Sequence, residues 1–438
     1  MNSRTEIADL FTRQDTLKKL PWPQQEALAN LISERVLLFE TKLRRSPYIP
    51  LQSSFDHLRV NSSFGSAVLS WMSQFPLDAQ LGALALALSA SYITDREMDI
   101  FLDSCVAELI EQRLERIRDD EPNQEVVPYA LSDRTDIFGK FVHAIRQPGT
   151  SNATFKTPGP LENFLLRAAQ TAYYEAADQS LPGKDYYDLG ILLDALLNKH
   201  YVIIEDWALT GSTMAAEIQH LLRLLRLLFG RTEVLERIRN IEYSTPTVTI
   251  VLPIATRAAL NRIEQAFATT IPGFGVKPRI ITGFIFEAEN RLGGGCTLAA
   301  LQRFSECAPK IKWREQAIRA CDEFASAAHA YWSAAEQKHS WFGETPSRDA
   351  FKYGYGKFGW AIIGFSNCPD NSLPAFWLPY LKPDGSEYTP LFPRVVSKNI
   401  VEGTGNSIRE WFTVAEADPK GLLHQEVMKV LESRAHAA

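Results

Sequence analysis

At 438 residues with 45% apolar side chains, the chain is long enough to bury a large core and to divide into two or three units. A net charge of −6 and a pI near 5.9 argue against a global basic field, so direct nucleic-acid binding is not indicated. Five cysteines without Cys-x-x-Cys spacing, and histidines without His-Glu-x-x-His spacing, argue against a disulfide framework and against zinc, and predict free thiols in a reducing cytoplasm. The amino terminus, Met-Asn-Ser-Arg-Thr-Glu-Ile, is polar and lacks the apolar stretch of an export signal.

Helical periodicity runs over 7–45 and 64–121, with Pro21 and Pro23 opening one helix and Thr94-Asp-Arg-Glu97 forming a capping box before another. The longest apolar stretch, Leu81 to Leu88, is interrupted by Gly82 and falls short of the ~20 residues that cross a bilayer. It predicts a buried helix, and the chain as a whole predicts no membrane segment. The basic clusters Lys42–Arg45 and Arg223, Arg226, Arg231 read as solvated helix faces. Residues 119–124 form the first polar break, and 137–145 then read as a strand or strand pair.

Further strands follow at 202–204, 247–253 and 280–286, alternating with helices at 160–179, 214–238 and 256–268. That alternation predicts an α/β fold with a mostly parallel sheet. A long helix over 313–338, a buried strand within 358–365 and a terminal helix over 419–435 complete the pattern. The expected division is a mainly helical region over 1–125, an α/β domain over 126–400 and a helical tail over 401–438.

The chemistry concentrates at 201–213, Tyr-Val-Ile-Ile-Glu-Asp-Trp-Ala-Leu-Thr-Gly-Ser-Thr. Val202, Ile203 and Ile204 are the β-branched run of a strand buried on both faces, and Glu205 and Asp206 fall at its carboxyl end. Ligands bind at that edge of open α/β sheets, and two adjacent carboxylates there suit ribose hydroxyls or a hydrated magnesium ion. Thr210, Gly211, Ser212 and Thr213 then lead into a helix. Its unpaired first-turn amides, its dipole and three hydroxyls can together hold a phosphate dianion, while Gly211 permits close backbone approach. The spacing excludes a Walker loop. An ordinary strand, turn and capped helix is the plain alternative.

This segment resembles the phosphoribosyl pyrophosphate loop of type I phosphoribosyltransferases: hydrophobic strand, Glu-Asp, three variable residues, Thr-Gly-x-Thr. The resemblance implies Glu205 and Asp206 on the ribose and its magnesium, and Thr210, Gly211, Ser212 and Thr213 on the 5-phosphate. Purine-salvage members carry an aspartate where Leu209 stands here, which sets standard purine chemistry apart from this chain.

A second segment reads Gly364-Phe-Ser-Asn-Cys-Pro-Asp-Asn-Ser-Leu-Pro-Ala-Phe-Trp377, followed after a short insert by Pro390-Leu-Phe-Pro-Arg394. Asn367, Asn371 and Ser372 offer amides and a hydroxyl to a base edge or ribose, while Phe376 and Trp377 offer stacking faces. A proline-stiffened loop pinned by a core tryptophan, with Arg394 salt-bridged, is the alternative. Taken with 205–213, this segment is similar to the phosphoribosyltransferase-like domain of bacterial conflict systems, including anti-phage defence. The resemblance implies a sheet of the type I phosphoribosyltransferase kind and a phosphoribosyl pyrophosphate or nucleotide ligand with magnesium. It also implies a role as a defence effector, held by a regulatory partner protein of a defence operon. Enzymatic action would be phosphoribosyl (glycosyl) transfer or nucleotide hydrolysis; a non-catalytic nucleotide sensor is the rival, and a structural scaffold the third reading.

Arg146 and Lys156, around Gly149-Thr-Ser151, can be compared with the pyrophosphate loop of type I enzymes. The glycine-rich stretches 291–295 and 352–359 have the composition of lids.

Overall fold

The structure, a computed structural model, describes residues 14–48, 64–118, 125–130, 199–212, 231–240, 247–270, 279–287, 298–334, 347–354, 359–365, 372–394 and 422–437, with a few single positions between them. The elements begin with helices α1 (Asp15–Lys18), α2 (Trp22–Arg45), α3 (Phe64–Met72) and α4 (Gln80–Ser89), strand β1 (Ser91–Ile93) and helix α5 (Asp95–Arg118). Strands β2 (Glu125–Ala130), β3 (Lys199–Ile204) and β4 (Trp207–Ala208), helix α6 (Thr232–Asn240), strand β5 (Thr247–Thr256), helix α7 (Arg257–Thr270) and strand β6 (Arg279–Phe286) follow. Helices α8 (Ala299–Cys307), α9 (Trp313–Ala334) and α10 (Arg348–Tyr353), strands β7 (Ile362–Gly364), β8 (Tyr380–Leu381) and β9 (Glu387–Tyr388), and helix α11 (Leu422–Ala437) complete them. The chain is thus an α/β protein with parallel strands, a helical amino terminus and a carboxyl-terminal helix.

The chain resolves into two compact units that interleave in sequence, Met1–Met98 with Phe286–Lys398, and Asp99–Ile285 with Asn399–Ala438. In the first unit α4 is the central element, and every residue from Leu81 to Ser89 is buried. The apolar stretch is a buried helix, as its length predicts. Its core is shared by Leu28 and Phe39 of α2, Trp71 of α3, Phe324 of α9, and Phe376, Trp377 and Phe392 near the end of the unit. The amino-terminal helices therefore pack with residues that follow position 286.

The carboxyl end of α4 leaves carbonyls without helical partners, and α2 supplies donors for them. Arg35 donates through Nε to the Leu88 carbonyl at 2.6 Å and through Nη2 to Ala90 at 3.2 Å. One turn pair further along, Lys42 Nζ donates to the Tyr92 carbonyl and to Glu97, both at 2.8 Å. Lys42 thus turns inward instead of joining a solvated face, because β1 and the first turn of α5 bring the Tyr92 carbonyl and the Glu97 carboxylate beneath it.

The capping box forms as the sequence predicts. Glu97 N–H donates to Thr94 Oγ1 at 3.1 Å, and Thr94 N–H donates back to Glu97 Oε2 at 2.9 Å, opening α5. Burial works against the Glu97 carboxylate, but the Lys42 hydrogen bond, the Thr94 N–H and the Lys42 charge outweigh it and hold the carboxyl below the usual glutamate range.

Strand β1 lies inside the stretch that periodicity marks as helical, and it pairs in parallel with β7, Tyr92 opposite Ile363. Three residues are too short to interrupt a helical pattern visibly. Strand β2 likewise forms beside the polar break and pairs in parallel with β3, Pro128 opposite Val202. Strands β5 and β6 and helices α7 and α9 form within a few residues of their expected bounds. The expected strand at 137–145 and helix at 160–179 lie outside the described residues.

In the second unit β3 pairs in parallel with β2 on one side and with β5 on the other. Strand β6 also pairs with β5. Phe101 of α5 stacks on Phe284 of β6, with ring centroids 5.1 Å apart. The β5 strand is buried along nearly its whole length, which explains its run of Val, Ile, Leu and Thr. Among the described residues no helix is long and apolar enough to cross a membrane.

Candidate functional site

Tyr201 to Ile204 are buried in the interior of the sheet, and Glu205 and Asp206 emerge half-buried at the carboxyl end of β3. The ladder does not stop there. Glu205 N–H donates to the Val251 carbonyl at 3.1 Å, and β4 resumes the same register, with Ile204 opposite Val251 and Trp207 opposite Ile254. Both carboxylates are therefore carried by backbone fixed to β5, at the sheet edge where α/β folds bind ligands.

The chain then turns. Leu209 and Thr210 are buried, Gly211 adopts φ +68°, and Ser212 and Met214 begin helical backbone, with Ala215 N–H donating to the Gly211 carbonyl at 2.8 Å. Thr210 and Ser212 hydroxyls lie 2.9 Å apart, and Ser212 N–H faces Thr210 Oγ1 at 3.4 Å. Two hydroxyls and the amides of a helix start are thus gathered within one turn. A Cβ on residue 211 would lie 2.7 Å from the Ala259 carbonyl oxygen, so glycine is required there by the neighbouring first turn of α7 as well as by its φ. Thr213 lies outside the described residues.

Thr256, the last residue of β5, is fully buried; its Oγ1 donates to the Leu209 carbonyl at 2.8 Å and accepts the Ala259 N–H at 3.0 Å. Sequence reading misses this residue. A threonine between a β-branched run and Arg-Ala-Ala-Leu signals a helix cap, but its bond to position 209 is tertiary.

Among the described residues no group of three or more His, Cys, Asp or Glu is gathered for a metal. Two carboxylates still fit magnesium, which keeps several waters and takes its other ligands from substrate phosphates.

The second motif folds as a clamp in the first unit. After β7, Ser372 Oγ donates to the Ile362 carbonyl at 2.6 Å, and Trp377 Nε1 donates to the Ser372 carbonyl at 3.2 Å. Phe376 and Trp377 have no exposed surface, so a base can stack on either ring only if this loop opens. Phe392 N–H donates to the Phe376 carbonyl at 2.7 Å, and Tyr48 Oη donates to the Pro393 carbonyl at 3.0 Å. Burial pushes the Tyr48 hydroxyl far above its ordinary pKa.

Arg394 places its guanidinium 5.8 Å from the centre of the Trp377 ring and donates from Nη1 to the Cys368 carbonyl at 3.1 Å. Arg146, Asn367 and Asn371 lie outside the described residues. The 205–212 turn belongs to the second unit, and the 364–394 segment to the first.

The glycine-rich stretches meet by backbone: Leu292 N–H donates to the Gly359 carbonyl at 2.9 Å, and Arg291 bridges Trp360. A parallel sheet whose buried strand ends in an acidic pair and a hydroxyl turn at a helix start is the arrangement of a phosphoribosyltransferase-like domain. Residues 68–394 match the PRTase-CE family, and the chain belongs to it, the phosphoribosyltransferase-like family of conflict systems. No curated protein and no solved structure matches the chain.

Proposed function

We propose that the chain binds phosphoribosyl pyrophosphate, or a nucleotide, together with magnesium at 205–213, and acts as an effector in bacterial anti-phage defence. The observation that carries this reading is the continuous path from buried β3 through the half-buried Glu205 and Asp206 to the Thr210–Ser212 hydroxyl pair at a helix start. Glu205 and Asp206 orient the ribose hydroxyls, and Thr210, Gly211, Ser212 and Thr213 hold the 5-phosphate.

The reaction is displacement at the anomeric carbon. The bond to pyrophosphate breaks with its electron pair leaving on oxygen, and an acceptor or water forms the new bond through an oxocarbenium-like transition state. Magnesium, held by Glu205 and Asp206, would offset the charge on the departing pyrophosphate. The protein contributes position and electrostatics, and no side-chain nucleophile is needed. Arg146 is assigned to the pyrophosphate. A regulatory partner encoded with it would hold the effector in check.

Leu209 favours a second reading. It is 2% exposed and packed inward, an apolar side chain where purine-salvage members carry a carboxylate for moving a proton on the base. A sensor would keep the phosphate turn and report occupancy to a partner. Incubation with phosphoribosyl pyrophosphate and magnesium separates the two: release of pyrophosphate, abolished by chelator, is the expected result for the enzyme. Binding without release would assign the sensor, and neither binding nor release would refute the ligand.

A further inference from the structure

We propose that Thr256 is a positioning residue that fixes the phosphate turn in its binding geometry before any ligand arrives; the inference rests on the phosphate site proposed above. A threonine hydroxyl has one proton to give and lone pairs to accept. At Thr256 the proton goes to the Leu209 carbonyl at 2.8 Å, and a lone pair takes the Ala259 N–H at 3.0 Å. The side chain has no exposed surface, so water cannot replace either bond.

The accepting carbonyl belongs to the residue immediately before Thr210, whose hydroxyl meets Ser212 at 2.9 Å. On the other side of Thr210, Gly211 packs against the same helical turn, its Cα facing Ala259. The turn is therefore seated on the start of α7 at two points, one a hydrogen bond and one a close backbone approach. A turn ordered in advance does not spend binding energy on its own ordering. Thr256 touches no ligand in this scheme; it acts through residues 209–212.

The test compares the full-length chain with Thr256→Ser, which keeps the hydroxyl, and Thr256→Val, which removes it at similar volume. Hydrogen exchange of the 205–215 segment is followed without ligand, and ribose 5-phosphate affinity is measured by calorimetry. Thr256→Val is expected to speed exchange in 205–215 and weaken ribose 5-phosphate by about tenfold or more, with exchange in β6 unchanged and Thr256→Ser close to the parent. Equal exchange and equal affinity in folded Thr256→Val would overturn the proposal. So would acceleration spread evenly over the second unit, which would mark a merely structural cap. Should the valine variant not fold, Thr256→Ala removes the same hydroxyl with less bulk and is read the same way. If the parent protein itself shows no affinity for ribose 5-phosphate, the phosphate-site reading fails, while the exchange result still decides whether Thr256 holds the turn.

Discussion

Gly82→Ala is expected to destabilise the first unit by about 3 kcal/mol and to lower its unfolding midpoint by about 6–12 °C. Helix propensity alone gives the opposite sign, since alanine is favoured over glycine by ~1 kcal/mol inside a helix. Packing decides against it. A Cβ at position 82 falls onto the Gln316 carbonyl of α9, and the obstacle is backbone, which no rotamer change can remove. Both helices lie in the core, where Leu81, Ala83 and Leu84 of α4 face the same cluster as Ala317 and Ala320 of α9, so separating them loosens several buried contacts at once. Thermal unfolding followed by circular dichroism checks this; an unchanged or raised midpoint would mean that the two helices do not pack this closely.

Gly211→Ala is expected to weaken phosphate ligands by about thirtyfold or more. Residue 211 has φ +68°, which costs an L-residue roughly 1–2 kcal/mol. The added Cβ would also lie 2.7 Å from the Ala259 carbonyl oxygen, so the turn must lift off α7. Either response displaces the Thr210 and Ser212 hydroxyls from their 2.9 Å pairing. A combined strain of about 2–3 kcal/mol corresponds to the stated loss if it falls on the bound geometry. Calorimetric titration with ribose 5-phosphate at a temperature where the variant remains folded is the check. Parent-like affinity would show that the phosphate is not held by this turn.

Much of this was legible in the sequence, and the reasons it was legible differ from place to place. The β3 run is β-branched because both of its neighbours, β2 and β5, are parallel strands of an interior sheet. The acidic pair and hydroxyl turn follow it without interruption, so local order alone located the candidate site. The capping box at Thr94–Glu97 and the proline start of α2 are likewise local.

What escaped was tertiary or too short. Strand β1 has three residues, and its partner β7 lies far along the chain. Lys42 reads as a surface cation until β1 places the Tyr92 carbonyl, and α5 the Glu97 carboxylate, beneath it. Arg394 donates to the Cys368 carbonyl and lies over the Trp377 ring, contacts that no local pattern announces. Thr256 is visible as a cap, but its hold on Leu209 exists only once β4 lies beside β5.

The most direct test of the account is calorimetric titration of the protein with phosphoribosyl pyrophosphate and magnesium, beside Asp206→Asn. Saturable binding at micromolar concentration by the parent, dependent on magnesium and lost in the variant, is the expected result, because a neutral amide cannot replace the carboxylate that orients the ribose and its metal. Equal binding by both proteins would remove the acidic pair from the site. Binding by neither would contradict the ligand assignment itself.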